Sequence, residues 1–277
     1  MKTDNSIKNI SLKENSYNSQ NRCQINNLEV KIGIELEELE QAKQLWLELS
    51  NNNSTAQQSQ HQLDNREALI YDGYDSYAKH LIVRDKAVNK VIAYVRIIDS
   101  HTAYNIGGYF CEAQFNLEIL RLQMQSAMEL SRLVIDPEYN HANTLDILWS
   151  GIVSLANEYD SDTLFGTLPL DLNESYYSTG KEIKRLKSTH LATNKYRVMP
   201  YHMLPSVPKV FSNDAVDCNL PEAVNFFFNK GARLCGDAGW NKVFNQAELF
   251  FYIKIGLLNQ VPQCIRQNEI NIAGLVA

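Results

Sequence analysis

Three polar side chains, Glu129, Ser131 and Arg132, interrupt Ala127-Met128-Glu129-Leu130-Ser131-Arg132-Leu133-Val134-Ile135, a run that otherwise reads as a buried strand. A strand does not bury Glu, Ser and Arg together unless they have partners or a use. Period-two geometry sets Glu129, Ser131, Leu133 and Ile135 on one face and Leu130, Arg132 and Val134 on the other, and a bulge would bring Glu and Arg closer together. Two readings stay open: an ion pair at a strand end, or a glutamate acting as general base, directly or through water, beside an amine. The segment after it, from Asp136-Pro137 through Asn140-His141-Ala142-Asn143-Thr144, leads into an apolar-periodic stretch. The order strand, polar turn, helix start suits anion binding.

Other candidate groups lie at a distance in sequence. Asp72-Gly73-Tyr74-Asp75 offers two carboxylates in a loop, either as turn formers or as partners for an ammonium-bearing substrate. Arg96 shares a strand face with Ile92, Tyr94 and Ile98, so it either reaches outward or pairs with an acid, Asp72 or Asp75 being the natural partners. Lys181, Lys184, Arg185, Lys187, Lys195 and Arg197 stand against the single acid Glu182. They read as a solvated lysine-rich loop or as a surface for an anionic partner such as an acidic carrier protein. The six histidines never fall at metal-ligand spacing, and no metal site is expected. No nucleophile elbow, Walker loop or dinucleotide fingerprint is present.

The elements that must hold these groups follow from periodicity. Leu36, Leu39, Leu45, Trp46 and Leu49 predict a helix, followed by a long polar loop. Residues 78–84 and 91–98 predict a hairpin, and Gly107-Gly108-Tyr109-Phe110 a flexible turn. Leu145, Leu148, Trp149, Ile152 and Leu155 trace a second helix, with Asn143 or Thr144 as its cap. Residues 163–170 predict a strand, Pro221 opens a helix carrying Val224, Phe227 and Phe228, and 249–258 form a last strand. The middle of the chain is thus a strand-helix-strand unit in a mixed α and β fold.

At 277 residues the chain can bury one sizeable core. Residues 1–28 are too rich in Asn, Ser, Lys and Gln to do so and are expected to be a disordered tail, with one domain over 29–262 and an extension over 263–277. No run approaches the roughly 20 apolar residues of a membrane span, so a cytoplasmic protein is expected, with peripheral membrane contact left open. Five scattered cysteines without a Cys-x-x-Cys pair argue for reduced thiols. A net charge of -6 argues against nucleic acid as a partner.

Together, Asp72-Gly73-Tyr74-Asp75, Arg96, Gly107-Gly108-Tyr109-Phe110, Glu129-Leu130-Ser131-Arg132 and Leu148-Trp149-Ser150-Gly151-Ile152 occur in an order that resembles the ornithine acyl-[acyl carrier protein] N-acyltransferases of lyso-ornithine lipid synthesis. Gly236-Asp237-Ala238-Gly239-Trp240 and Phe244-Asn245-Gln246-Ala247-Glu248 resemble that family's closing motif. The resemblance implies an α+β, acyl-CoA N-acyltransferase (GCN5-related) fold, a central splayed, mostly antiparallel sheet flanked by helices. It implies transfer of a 3-hydroxyacyl group from acyl carrier protein to the α-amine of ornithine. No bound cofactor is implied; an acyl-phosphopantetheine thioester is a co-substrate, on the carrier protein rather than coenzyme A.

On this reading Glu129, Ser131 and Arg132 are catalytic, and Asp72, Asp75 and Arg96 bind the acceptor. Leu133, Ile135, Asn140, His141, Asn143 and Thr144 contact the donor, and Lys181, Lys184, Arg185 and Lys187 dock the carrier. The acyl-homoserine-lactone synthases share the paired Asp, the Arg and the Glu-x-Ser-Arg pattern, and a non-catalytic acyl-carrier or lipid-binding module is the remaining alternative. The chain departs from the family pattern at Leu45-Trp46-Leu47-Glu48-Leu49-Ser50, which lacks an expected Arg and Phe, and at Asn140-His141-Ala142-Asn143, which lacks the basic, Gly-containing phosphate loop.

Overall fold

A computed structural model describes residues 27–52, 72–139, 141–172, 176–205 and 220–255. The expected tail up to Asn26, the polar loop after Asn52, Asn140 and the expected extension over 263–277 lie outside the described residues.

Seven strands follow one another across the main sheet. They are β1 (Leu28–Ile32), β2 (Lys79–Asp85), β3 (Lys90–Asp99), β5 (Ala127–Ile135), β6 (Thr163–Asp171), β10 (Gln246–Lys254) and β8 (Arg233–Leu234), with β9 (Gly239–Asn241) paired to β10 as well. Two short strands, β4 (Phe115–Asn116) and β7 (Met199–Pro200), form a separate ribbon. The helices are α1 (Leu36–Asn52), α2 (Ser100–Ile106), α3 (Glu118–Arg121), α4 (His141–Glu158), α5 (Tyr176–His190) and α6 (Glu222–Asn229). From Val91 to Asp99 every residue of β3 is buried, as a central strand covered on both faces requires.

One face of the sheet packs on the apolar stripes of α4, α5 and α6: Leu148, Ile152, Ile183, Leu186, Val224 and Phe227 meet Val95, Met128, Leu130, Leu249 and Phe251. The opposite face carries α1, through Ala42 against Ile82 and Tyr94, and a cluster of Cys111, Phe115, Phe165 and Phe250. Because β5 alternates between these two environments, Met128 and Leu130 enter one core while Ala127 and Glu129 face the other.

Every pairing in the main sheet is antiparallel except β5 with β6, the strand-helix-strand unit closed by α4. That parallel ladder covers only Ala127–Leu130 against Thr163–Gly166. Beyond it β5 continues to Ile135 along β3 while β6 continues to Asp171 along β10, so the sheet opens into a V. Gly166 marks the apex, because a Cβ there would stand 2.1 Å from the Leu130 carbonyl oxygen.

Several sequence expectations change. Of the basic stretch, Lys181 to Lys187 lie on the helix α5, not in a loop, because Ile183 and Leu186 give it a buried stripe, while Lys195 and Arg197 follow in a 3-10 turn and its exit. The helix α4 begins at His141, so Asn143 and Thr144 lie inside it and do not cap it. The last strand starts at Gln246, three residues earlier than its apolar run.

Candidate active site

The site grows from one irregularity in β5. Tyr94 pairs with Val134 and Arg96 with Ser131, so Arg132 and Leu133 together stand opposite the single residue Val95. This is a β-bulge, and Arg132 adopts the left-handed φ of 56° that an arginine takes only when its surroundings impose it. The bulge reverses the face expected for Arg132. Its guanidinium turns toward the side that carries Ser131, Glu129 and Arg96, and the guanidinium donates to Asp75 Oδ2 at 3.1 Å and to Asp72 Oδ2 at 2.9 Å.

Arg96 is the centre of this ionic cluster and is wholly buried. Its Nη1 donates to both oxygens of Asp72, at 2.6 and 2.8 Å, and to Asp75 Oδ1 at 2.8 Å, while Nε donates to Ser131 Oγ at 3.0 Å. Burial alone would lower the arginine's pKa; the bonds to Asp72 and Asp75 outweigh it and hold the charge in place. Its Nη2 is buried without a hydrogen-bond partner among the described residues. The guanidinium lies 4.5 Å from the Phe110 ring centroid and 5.8 Å from that of Tyr74. Asp72 and Asp75 thus spend most of their oxygens on two arginines rather than facing an open ammonium site.

Glu129, 1% exposed, is held by the main chain: its oxygens accept from the backbone N–H groups of Phe110 at 2.8 Å and Cys111 at 2.7 Å. It thereby fastens the 3-10 turn Phe110–Ala113, which the left-handed Gly107 at φ 94° and Gly108 at φ 149° let the chain enter. The same bond sets the Phe110 ring over Arg96. Burial pushes the Glu129 carboxyl above the usual carboxylate range, against the opposing pull of the Cys111 thiol and amide, the Phe110 amide and Arg96.

Four further residues complete the site and were not singled out as site residues from sequence. Lys43 of α1 approaches Asp75 at 3.7 Å, and Trp46 lies 4.5 Å from the Arg132 guanidinium. Trp46 belongs to the segment that departs from the family pattern, so that departure supplies an aromatic cover for the bulge. His80 Nε2 stands 2.9 Å from the Asp75 carbonyl oxygen and Nδ1 2.9 Å from the Tyr94 hydroxyl. Since the carbonyl can only accept, Nε2 carries the proton and Nδ1 accepts from Tyr94; burial lowers the His80 pKa and keeps the ring neutral. None of the four carries a local motif: the β2–β3 pairing joins His80 to Tyr94, and the packing of α1 on the sheet brings Lys43 and Trp46 to the cluster.

The residues expected to contact a donor divide. Leu133 and Ile135 lie on the arm of the V that has left β6, and Asn143 is half-buried in the first turn of α4. Thr144 is buried, so its hydroxyl is not presented at the surface. Asn140 and the side chain of His141 lie outside the description. On α5, Lys181, Lys184 and Arg185 are exposed; Arg185 pairs with Glu182 and Lys187 with Asp237. The Thr179 hydroxyl donates to the Asp171 carbonyl, which ties α5 to the far end of β6, where the V is widest. Among the described residues no group of His, Cys, Asp and Glu is arranged to hold a metal, and no helix is long and apolar enough to cross a membrane.

The model of the Acetyltransferase (GNAT) domain matches residues 51–150. The L-ornithine N(alpha)-acyltransferase of Agrobacterium fabrum is 23% identical over 199 residues, covering 67% of each chain. That of Rhodobacter capsulatus is 26% identical over 109 residues, which are 38% of this chain and only 42% of the relative's length. Among solved structures, FeeM, an N-acyl amino acid synthase from uncultured soil microbes, covers 90% of this chain and 98% of its own at 10% identity and a TM-score of 0.48. The GNAT domain model thus spans β2, β3 and β5, and the chain is similar to L-ornithine N(alpha)-acyltransferases over as much as 68% of its length.

Proposed function

We propose that the protein transfers an acyl group from a phosphopantetheine thioester to the α-amine of ornithine. The carrying observation is the buried Arg96–Asp72–Asp75–Arg132 cluster, with Ser131 and Glu129 on the same sheet face, at the apex where β5 leaves β6. From Ser131 onward the β6-facing edge of β5 has no strand beside it, so an amide-bearing pantetheine arm can complete that ladder. The same groups fit the acyl carrier protein and coenzyme A; α5, rich in cations beside the mouth of the V, favours the acidic carrier.

In this reading the partnerless Nη2 of Arg96 points to a role toward the acceptor carboxylate, while Asp72 and Asp75 position the two arginines. The amine attacks the thioester carbonyl, the C–N bond forms, the C–S bond breaks, and the thiol leaves with a proton. Glu129 accepts the proton lost by the ammonium through a lone pair not engaged by Phe110 and Cys111, its burial having raised its basicity. Amides freed from the ladder by the bulge at Arg132 and Leu133 face the developing oxyanion. Holding both reactants in one complex supplies much of the rate.

The test is purified protein with L-ornithine and a 3-hydroxyacyl carrier thioester, read by mass spectrometry. N-acyl ornithine and free carrier thiol are expected, with slower transfer from the matching coenzyme A ester. No acylated amine from either donor would sink the proposal.

A further inference from the structure

Glu248 is a second buried carboxylate that the reaction above does not use. It lies on β10, on the same sheet face as Phe250, and therefore on the face that carries Glu129 and the arginine cluster. Its neighbours are neutral: Asn241 Nδ2 donates to it at 3.0 Å and the Thr167 hydroxyl is its other partner. Among the described residues no lysine or arginine pairs with it. A carboxylate withdrawn from water without a counter-charge is costly, so it is kept either neutral or for a cation that arrives.

The surroundings connect it to the acceptor site. Asn241 Oδ1 accepts from the backbone N–H groups of Val243 at 3.2 Å and Phe244 at 3.3 Å, fixing the turn that carries the Phe244 ring. Phe244 meets Trp46 edge to face at 6.1 Å, and Trp46 covers Arg132. The turn between β9 and β10 and the helix α1 thus bridge the V on one face, with the arginine cluster at one end and Glu248 at the other. Between them, on β6, Thr167 is half-exposed and Pro169, in register with Glu248, is exposed, which sets the buried carboxylate beside an accessible stretch of that strand.

We propose that Glu248 receives the side-chain ammonium of a diamino acid acceptor and sets the preference for an acceptor with a second amine. This rests on the proposed acylation of ornithine. With the acceptor's carboxylate at the arginines and its distal ammonium at Glu248, the α-amine is left between the two ends, facing the thioester at the apex of the V.

The test measures kcat and KM for L-ornithine and for L-norvaline, the same chain without the distal amine, with the carrier thioester saturating. Glu248→Gln keeps an acceptor for Asn241 and a donor for Thr167 and so preserves the fold. The wild type should favour ornithine, and Glu248→Gln should erase that preference by raising the ornithine KM roughly 30-fold or more, with little change for norvaline. Glu248→Asp, which keeps the charge, should retain part of the preference; a purely structural role would move both acceptors alike. If the wild type favours ornithine and Glu248→Gln does too, the assignment of Glu248 is overturned while the acylation stands. Equal use of both acceptors by the wild type overturns it as well, and acylation of neither overturns the underlying function.

Discussion

Arg96 is the residue on which the others depend, because it joins two loop carboxylates, a strand hydroxyl and an aromatic ring from three separate segments. Arg96→Met keeps much of the volume but leaves Asp72 and Asp75 buried against Arg132 and Lys43 alone. A loss of about 3–5 kcal/mol in urea unfolding is expected, since removing one partner strands the others; a loss below 1 kcal/mol would mean that the cluster relaxes into water. Glu129 needs a different test from an ordinary base. Each of its oxygens accepts a backbone N–H, and Glu129→Gln presents an NH2 group to one of them, so about 1–3 kcal/mol of stability should go together with activity. Reduced turnover in that variant therefore supports the base only if the unfolding midpoint is reported beside it. The two buried glutamates also predict a pH dependence with a definite sign. Burial raises the folded pKa of Glu129 and of Glu248 above the unfolded value, so the native state holds the proton more tightly. Each contribution is complete below the unfolded pKa and is lost as pH rises through the folded one. Wild type measured against Glu248→Gln should lose relative stability as pH rises above 4.5, and a constant difference would mean that Glu248 titrates as it does in the unfolded chain.

At the scale of elements, the V between β5 and β6 depends on one close approach. Gly166→Ala would drive a Cβ into the Leu130 carbonyl, a backbone atom that cannot rotate away, so the last paired residues must separate. Destabilisation of about 1–3 kcal/mol and a raised KM for the acyl donor are expected, the second because the apex widens where the proposed donor site lies. An unchanged donor KM would detach the apex from donor binding. The V also marks the limit of what the chain reveals before folding. The hairpin β2–β3, the strand β5, the helix α4 and the helix α6 were legible because each carries its own period and its own punctuation. The pairing of Arg96 with Asp72 and Asp75 was legible too, since a buried arginine needs an acid. The bulge could be raised from sequence only as a possibility, because an extra residue leaves no mark in alternation, and without it Arg132 falls on the wrong face. The positions of Lys43 and Trp46 beside Asp75 and Arg132 were not legible either, because they arise only when α1 packs over the sheet. The helix α5 was mistaken for a loop because Ile183 and Leu186 give it a narrow apolar stripe among many cations.

Across the whole molecule charge is segregated between an exposed cationic helix and a buried, self-neutralising cluster. The chain carries a net charge of -6, yet α5 sets Lys181, Lys184 and Arg185 on an exposed face beside the wide end of the V, while the buried cluster of two arginines and two aspartates neutralises itself inside. An acidic carrier protein would be drawn to that one face of an otherwise acidic particle, and would be repelled from the rest. Glu182 and Asp237 already offset Arg185 and Lys187. Changing Lys181, Lys184 and Arg185 to Glu should therefore raise the apparent KM for the acyl carrier thioester by roughly 10-fold or more at low salt and hardly change kcat, because the substitutions act on encounter rather than on the reacting groups. The same variant should use a short acyl-pantetheine thioester as well as the wild type does, since that donor carries no protein to dock. Added salt should shrink the difference between the two proteins, as the Debye length falls from about 10 Å at 0.1 M to about 3 Å at 1 M. Equal KM values for the carrier at low salt would remove α5 from the docking surface and leave the donor to be recognised at the V alone.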